Sequence, residues 1–245
     1  MSKTMAYYDL RDALAAGPES GLVSCPICCL ALKSVARYLD NLLYESVNDP
    51  GVRRAIRQAR GFCNEHAWQL REIGEPLGIA IIHRDVLETV IAFIRQGQYR
   101  RTQSLSLQRL QEALSGDQAA PTTAALVAML EPQGECPACR QRRIMEDIYL
   151  NTLLRHLDDG ALAPALRTSA GLCLPHFRRA LQLVRDEESF HRLVEVQLVC
   201  LERLHGELSE LIRKHDYRFL GEGFGAEGDS WIRAIARVSG QKGVR

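Results

Sequence analysis

The chain has 245 residues, 46% of them hydrophobic and 25% charged, with a formal net charge of +1 at pH 7. This is the composition of an ordinary globular protein, long enough to bury a substantial core as one large domain or two small ones. The near-zero charge excludes a global field favouring nucleic acid, an anionic membrane or an acidic substrate, and leaves only local patches to consider.

The N-terminus has no basic region followed by an apolar one, so a secretory signal is not expected. The most apolar stretch, Ile79 to Ile94, is interrupted by His83, Arg84, Asp85 and Glu88. It is too short and too charged to span a bilayer. The expectation is a cytoplasmic protein with reduced thiols and no membrane association. Eight cysteines in such a compartment point to metal or redox chemistry rather than to a disulfide framework.

In chain order, residues 1–20 form a short lead-in. A first helical repeat spans 21–97. Its opening helix starts at Pro26, which suits a first turn. Ile27, Ala31, Val35, Tyr38, Leu39, Leu42 and Leu43 then recur at three- and four-residue steps along one face. Asp49-Pro50-Gly51 ends that helix. A short helix from Val52 to Arg60 stops at Gly61, a left-handed cap. A third opens at Cys63 and is broken by Gly74, Pro76 and Gly78. A fourth runs from about Ile79 to Gln96. A polar connection, 98–131, carries helices near Ser104–Leu114 and Thr122–Leu130. The second repeat, 132–215, opens with a helix reaching about Leu157, turns at Asp158-Asp159-Gly160, restarts at Pro175 and ends in a long amphipathic helix from Glu188 to Lys214. Residues 216–245 hold a glycine-rich loop and a last helix around Trp231–Val238. No alternating run demands a sheet.

The cysteines expose a duplication. Cys25-Pro26-Ile27-Cys28 matches Cys136-Pro137-Ala138-Cys139 at an offset of 111, and Gly61-Phe62-Cys63-Asn64-Glu65-His66 matches Gly171-Leu172-Cys173-Leu174-Pro175-His176 at an offset of 110. Between them Tyr38-Leu39-Asp40-Asn41-Leu42-Leu43 aligns with Tyr149-Leu150-Asn151-Thr152-Leu153-Leu154. The fold class is therefore all-α, as two pseudo-symmetric helical repeats.

Each repeat supplies two ligand pairs with two intervening residues, a spacing that grips one ion from a single helical turn. Three cysteines and one histidine form a common structural zinc set. The expectation is two zinc ions per chain, one per repeat: Cys25, Cys28, Cys63 and His66 in the first, Cys136, Cys139, Cys173 and His176 in the second. Pairing across the copies, with Cys25 and Cys28 meeting Cys173 and His176, stays open. All four pairs sit at helix N-termini, whose unpaired N–H groups and dipoles favour thiolate charge. Iron–sulfur clusters are the alternative cofactor.

Other readings are weaker. A CPxC pair at a helix start resembles a thioredoxin-like dithiol, but no strand precedes either one and both CxxH pairs would go unexplained. Four protein ligands would close the site to metal catalysis, and no catalytic residue is assigned. Cys29 and Cys200 stand outside the repeated set. His83, His156, His191, His205 and His215 lack ligand spacing to a cysteine. Gly223 to Gly228 fits GxGxxG without the preceding strand that dinucleotide binding needs, and reads as a loop capped by Asp229 or Ser230. Arginines at 53, 54, 57 and 60, at 140, 142 and 143, and at 178 and 179 read as solvated helix faces paired with acids.

The assembled motifs resemble a bacterial family without an established activity, the DUF6062 family. The likeness rests on CPIC at 25–28, GFCNEH at 61–66, CPAC at 136–139, GLCLPH at 171–176 and KHDYRFLGEGFGAEGDSWIRAI at 214–235. It implies an intracellular protein with paired cysteine motifs and supplies no substrate. Taken together, the sequence favours a binding or adaptor protein over an enzyme, with a protein partner or a second copy as its target. An iron–sulfur or thiol redox protein is the alternative. A nucleic-acid-binding regulator is weaker still.

Overall fold

The computed structural model describes residues 3–15, 25–97 and 123–244. Among these are eleven α-helices and no strand. In chain order they are α1 (Met5–Ala15), α2 (Pro26–Asn41), α3 (Pro50–Gln58), α4 (Asn64–Ile73), α5 (Pro76–Gln96), α6 (Thr123–Leu130), α7 (Pro137–Arg155), α8 (Leu162–Thr168), α9 (Leu174–Leu183), α10 (Glu187–Lys214) and α11 (Ser230–Ser239). The helix expected at Ser104–Leu114 lies outside the described residues.

The helices end at the expected breaks, and the prolines found there also start the next helix. Pro50 and Pro76 occupy first-turn positions, where a missing N–H costs nothing. The Asp49 carboxylate accepts the Val52 N–H at 2.8 Å and caps α3. Gly74 closes α4 in the left-handed conformation, φ 85°. α5 therefore begins three residues earlier than expected, with Gly78 inside its first turn. A Cβ there would meet Leu43 Cδ2 at 3.1 Å, so the glycine lets α5 sit close to the chain after α2. That chain is a π-helical turn, Leu42–Ser46, which the periodicity did not reveal.

The chain forms two compact units, and they are not the two sequence copies. One comprises residues 1–36 and 141–245, the other 37–140; the divisions fall inside α2 and α7. In the first unit Ile27 and Leu30 of α2 share a core with Leu150 and Leu153 of α7, Leu166 of α8, Leu172, and Leu193 of α10. The lead-in proves to be part of this core. Tyr7, Leu10 and Leu14 of α1 are buried in it, and the Tyr149 hydroxyl donates to Asp9 at 3.1 Å. The second unit packs α3, α4 and α6 on α5. Arg53 and Arg57 of α3 both donate to Asp85 of α5, at 3.1 and 2.6 Å.

Candidate metal centres

The four ligand pairs stand where the sequence put them, at helix starts. Cys63 and Cys173 are N-cap residues of α4 and α9 with nearly equal extended torsions, φ/ψ of −63/163° and −69/159°. Their carbonyls accept the first helical N–H, from Ala67 at 2.9 Å and Phe177 at 2.8 Å. Cys25 and Cys136 do the same for Cys29 and Arg140. A positive-φ glycine, Gly61 or Gly171, reverses the chain just before each CxxH pair. Gly171 is constrained twice, because a Cβ there would also stand 2.8 Å from the Cys200 Cβ.

The eight donors converge on two points, but across the copies. Cys25, Cys28, Cys173 and His176 form one quartet, and Cys63, His66, Cys136 and Cys139 the other; within each, one donor atom per residue lies within 4.8 Å of every other. The expected within-repeat pairing is therefore corrected. Its appeal was sequence proximity, but loop closure grows only logarithmically with length. Joining residues 145 apart rather than 35 costs about 1 kcal/mol more. Burying one leucine returns roughly 1.5–3 kcal/mol, and the core of the first unit buries ten. Packing outweighs proximity.

In the first quartet the imidazole Nδ1 of His176 lies 3.5, 3.4 and 3.1 Å from the sulfurs of Cys25, Cys28 and Cys173, and Cys28 Sγ is 3.6 Å from Cys173 Sγ. In the second, Nδ1 of His66 lies 3.1, 3.6 and 3.3 Å from the sulfurs of Cys63, Cys136 and Cys139, with Cys63 and Cys139 sulfurs 3.6 Å apart. Bond lengths of about 2.3 Å to sulfur and 2.0–2.1 Å to nitrogen give tetrahedral edges of roughly 3.5–3.8 Å. The donor set fits a single tetrahedral ion, and His176 and His66 each aim one ring nitrogen inward.

Proton chemistry points the same way. Four donors this close cannot all ionise unaided. Although burial opposes its anion, Cys25 is driven well below its ordinary value by hydrogen bonds from Cys173, Cys28 and His176. Cys28 is driven far up by hydrogen bonding to Cys173 and Cys25 and by burial. Burial disfavours the His176 cation, yet hydrogen bonds to Cys173, Cys25 and Glu146 push it up to about 12. In the second quartet, burial and the Cys136 charge push Cys139 up to about 12. A divalent cation would replace these competing protons with one shared counter-charge.

The quartets differ in setting. All four donors of the first are buried, whereas in the second only His66 is buried and the cysteines are half-buried. Behind His176, its other nitrogen Nε2 stands 3.4 Å from Glu146 Oε1 on α7, a carboxylate placed to orient the ring. Arg142 Nε lies 3.4 Å from the same oxygen, and its Nη1 donates to the Gly243 carbonyl at 3.1 Å. Arg142 is thus buried rather than on the solvated face expected of it. Glu146 and Arg237 were not among the residues the sequence singled out. Comparing copies could not find Glu146, since its counterpart is Val35.

Cys29 and Cys200 belong to neither quartet. Cys200 is buried and donates to the Leu166 carbonyl at 3.5 Å, and burial pushes its thiol up. His83 and His215 bond carbonyls one turn back, at 2.8 Å each, and His156 stacks edge-on against Tyr7. The glycine-rich loop is held by Glu227, whose carboxylate accepts the Gly225 N–H at 2.8 Å and Lys214 Nζ at 2.7 Å, filling the loop with an internal anion. Asp229 stands at the N-cap of α11 but makes no side-chain capping bond; it accepts from Arg233 instead.

No helix among the described residues is long and apolar enough to cross a membrane. No solved structure matches the chain. An uncharacterized 23.9 kDa protein in the xynA 3′ region of Caldicellulosiruptor sp. (strain Rt8B.4) is 23% identical over 218 residues, covering 88% of this chain and 95% of that one. The profile of a family of unknown function, DUF6062, matches residues 1–244, and the chain belongs to that family.

Proposed function

We infer that the chain is a structural metalloprotein holding two zinc ions, each clamping the start of a CPxC helix to the start of a CxxH helix from the other sequence copy. The observation that carries this reading is the convergence of all eight donors into two Cys3His quartets. Donors within 4.8 Å of one another suit one ion better than an iron–sulfur cluster, whose ligands bind separate irons. Zinc follows from the ligand set, which is common for structural zinc. Eight cysteines, none of them in a disulfide, suit a reducing cytoplasm.

The biological role supported best is that of an adaptor for a protein partner or a second copy. Trp231, Ile232, Ile235 and Val238 leave an apolar stripe of α11 exposed, as do Leu87, Ile91 and Ile94 on α5. Several arginines that could form a basic rim are taken up internally. Arg53 and Arg57 bind Asp85, Arg60 binds the Met129 carbonyl, and Arg179 grips Asp147 with two bonds of 2.8 Å.

Metal analysis of protein purified without oxygen, read with its absorbance spectrum, tests the metal assignment. Two zinc per chain and a colourless solution are expected. A brown solution absorbing near roughly 400 nm, or iron in place of zinc, would overturn it. Sedimentation of the full chain against a Trp231→Glu variant tests self-association, which the variant should abolish if α11 carries it.

A further inference from the structure

The buried quartet has a charge problem that the half-exposed one does not. Three thiolates around a divalent ion leave about one net negative charge. Glu146 adds another beside His176. Anions removed from water are costly unless paired. Arg142, buried against Glu146, answers one of the two charges.

The second answer comes from the far end of the chain. Arg237 projects from α11 and is 6% exposed, yet its Nε and Nη1 meet no hydrogen-bond acceptor among the described residues. A buried guanidinium with idle donors is one of the more expensive groups a core can hold, and a methionine would fill the space without that cost. What surrounds it supplies the reason. Burial works against the Arg237 charge, and thiolate charge on Cys25, Cys200, Cys173 and Cys28 would work for it, three of these being donors of the buried quartet. The segment beyond it closes on the same site. A Cβ on Gly240 would stand 3.9 Å from Cys173 Sγ, the Gly243 carbonyl is held by Arg142, and Val244 is buried in the core that contains Cys25, Cys28 and Cys173. With one divalent ion, three thiolates, Glu146, Arg142 and Arg237, the buried assembly is neutral.

We propose that Arg237 is the counter-charge of the buried centre and that the segment from Arg237 to Val244 locks its ion in place, leaving the half-exposed quartet as the centre that exchanges its ion with thiol or chelating ligands in solution. This rests on the two-ion reading above. Exchange proceeds by ligand substitution: an incoming donor binds the ion as one protein thiolate leaves, and no electron is transferred. Such attack needs room, which Cys63, Cys136 and Cys139 give and the buried quartet withholds until the C-terminal segment lifts.

The test follows zinc leaving the full-length, two-zinc protein into excess 4-(2-pyridylazo)resorcinol. The wild type should release one equivalent quickly and one slowly, and Cys63→Ser should retain only the slow one. Arg237→Met should speed the slow phase roughly 10- to 100-fold, the range for lost outer-sphere support, without changing the fast phase. Arg237→Lys, which keeps the charge, should restore most of the slow rate. A single common rate in the wild type overturns the proposal without any Arg237 variant having to fold. An unchanged slow phase in Arg237→Met, or a lysine variant as fast as the methionine one, also overturns it. Fewer than two zinc in the wild type would instead sink the two-ion reading beneath it.

Discussion

The crossed pairing of the ligands is the feature most open to a decisive experiment. Two double variants distinguish it from pairing within each copy. Cys28→Ser with Cys173→Ser removes two ligands of one quartet; Cys28→Ser with Cys63→Ser removes one from each. The first should keep one zinc per chain and the second should lose both. The crosslink lost in the first joins residues 145 apart. Treated as a loop constraint, it is worth about 5 kcal/mol, against roughly 3.8 kcal/mol for the 35-residue loop that within-copy pairing would close. Either figure is a large part of a domain's usual stability of roughly 5–15 kcal/mol, so the urea midpoint should fall visibly in both variants. Stoichiometry decides between the two pairings. Zinc is measured by mass spectrometry after equilibrium dialysis against a weak chelator, with helical circular dichroism as the folding control. If the first pair held no zinc and the second held one, the crossed arrangement would be refuted.

Three further outcomes are expected. Glu146→Gln should weaken zinc at the buried quartet roughly 10- to 100-fold in competition titrations, because the His176 ring loses its charged orienting partner; the half-exposed quartet should be unaffected, and equal weakening at both would contradict this. Gly61→Ala and Gly171→Ala both force a side chain into positive φ, costing about 1–2 kcal/mol, but only Gly171 also faces Cys200. The overpacking there should add about 1–3 kcal/mol, read as a clearly lower thermal midpoint for Gly171→Ala, and equal midpoints would refute the contact. Asp85→Asn should cost about 1 kcal/mol at pH 7 by removing the negative charge that Arg53 and Arg57 share. Burial works against the Asp85 anion, yet hydrogen bonds from Arg57 and then Arg53 hold its carboxyl below the usual range. A depressed folded pKa stabilises above the unfolded value and is lost as pH falls through the folded one. The gap between wild type and variant in urea should therefore close below about pH 4, and a gap constant down to pH 2 would count against the ion pair.

What could be read from residues in order was local. Pro26, Pro137 and Pro175 announce helix starts, Gly74 an end, and the CxxC and CxxH spacings fix which atoms can share a turn, because these effects act over three or four residues. Local signals also failed where two choices were locally equal. Pro50 and Pro76 marked the breaks but not that the next helix opens on the proline itself, and α1 shows only three buried positions in a segment without a cap signal.

The sequence by itself determined the all-helical class, the duplicated motifs and the eight candidate donors. Only the tertiary structure decided which donors meet, that Glu146 and Arg142 stand beside one quartet, and that the other stays half-open. The reason is physical. A ligand pair is a property of one helical turn, but a quartet is a property of which apolar faces pack, and that packing joins residues more than a hundred positions apart at little more entropic cost than near neighbours.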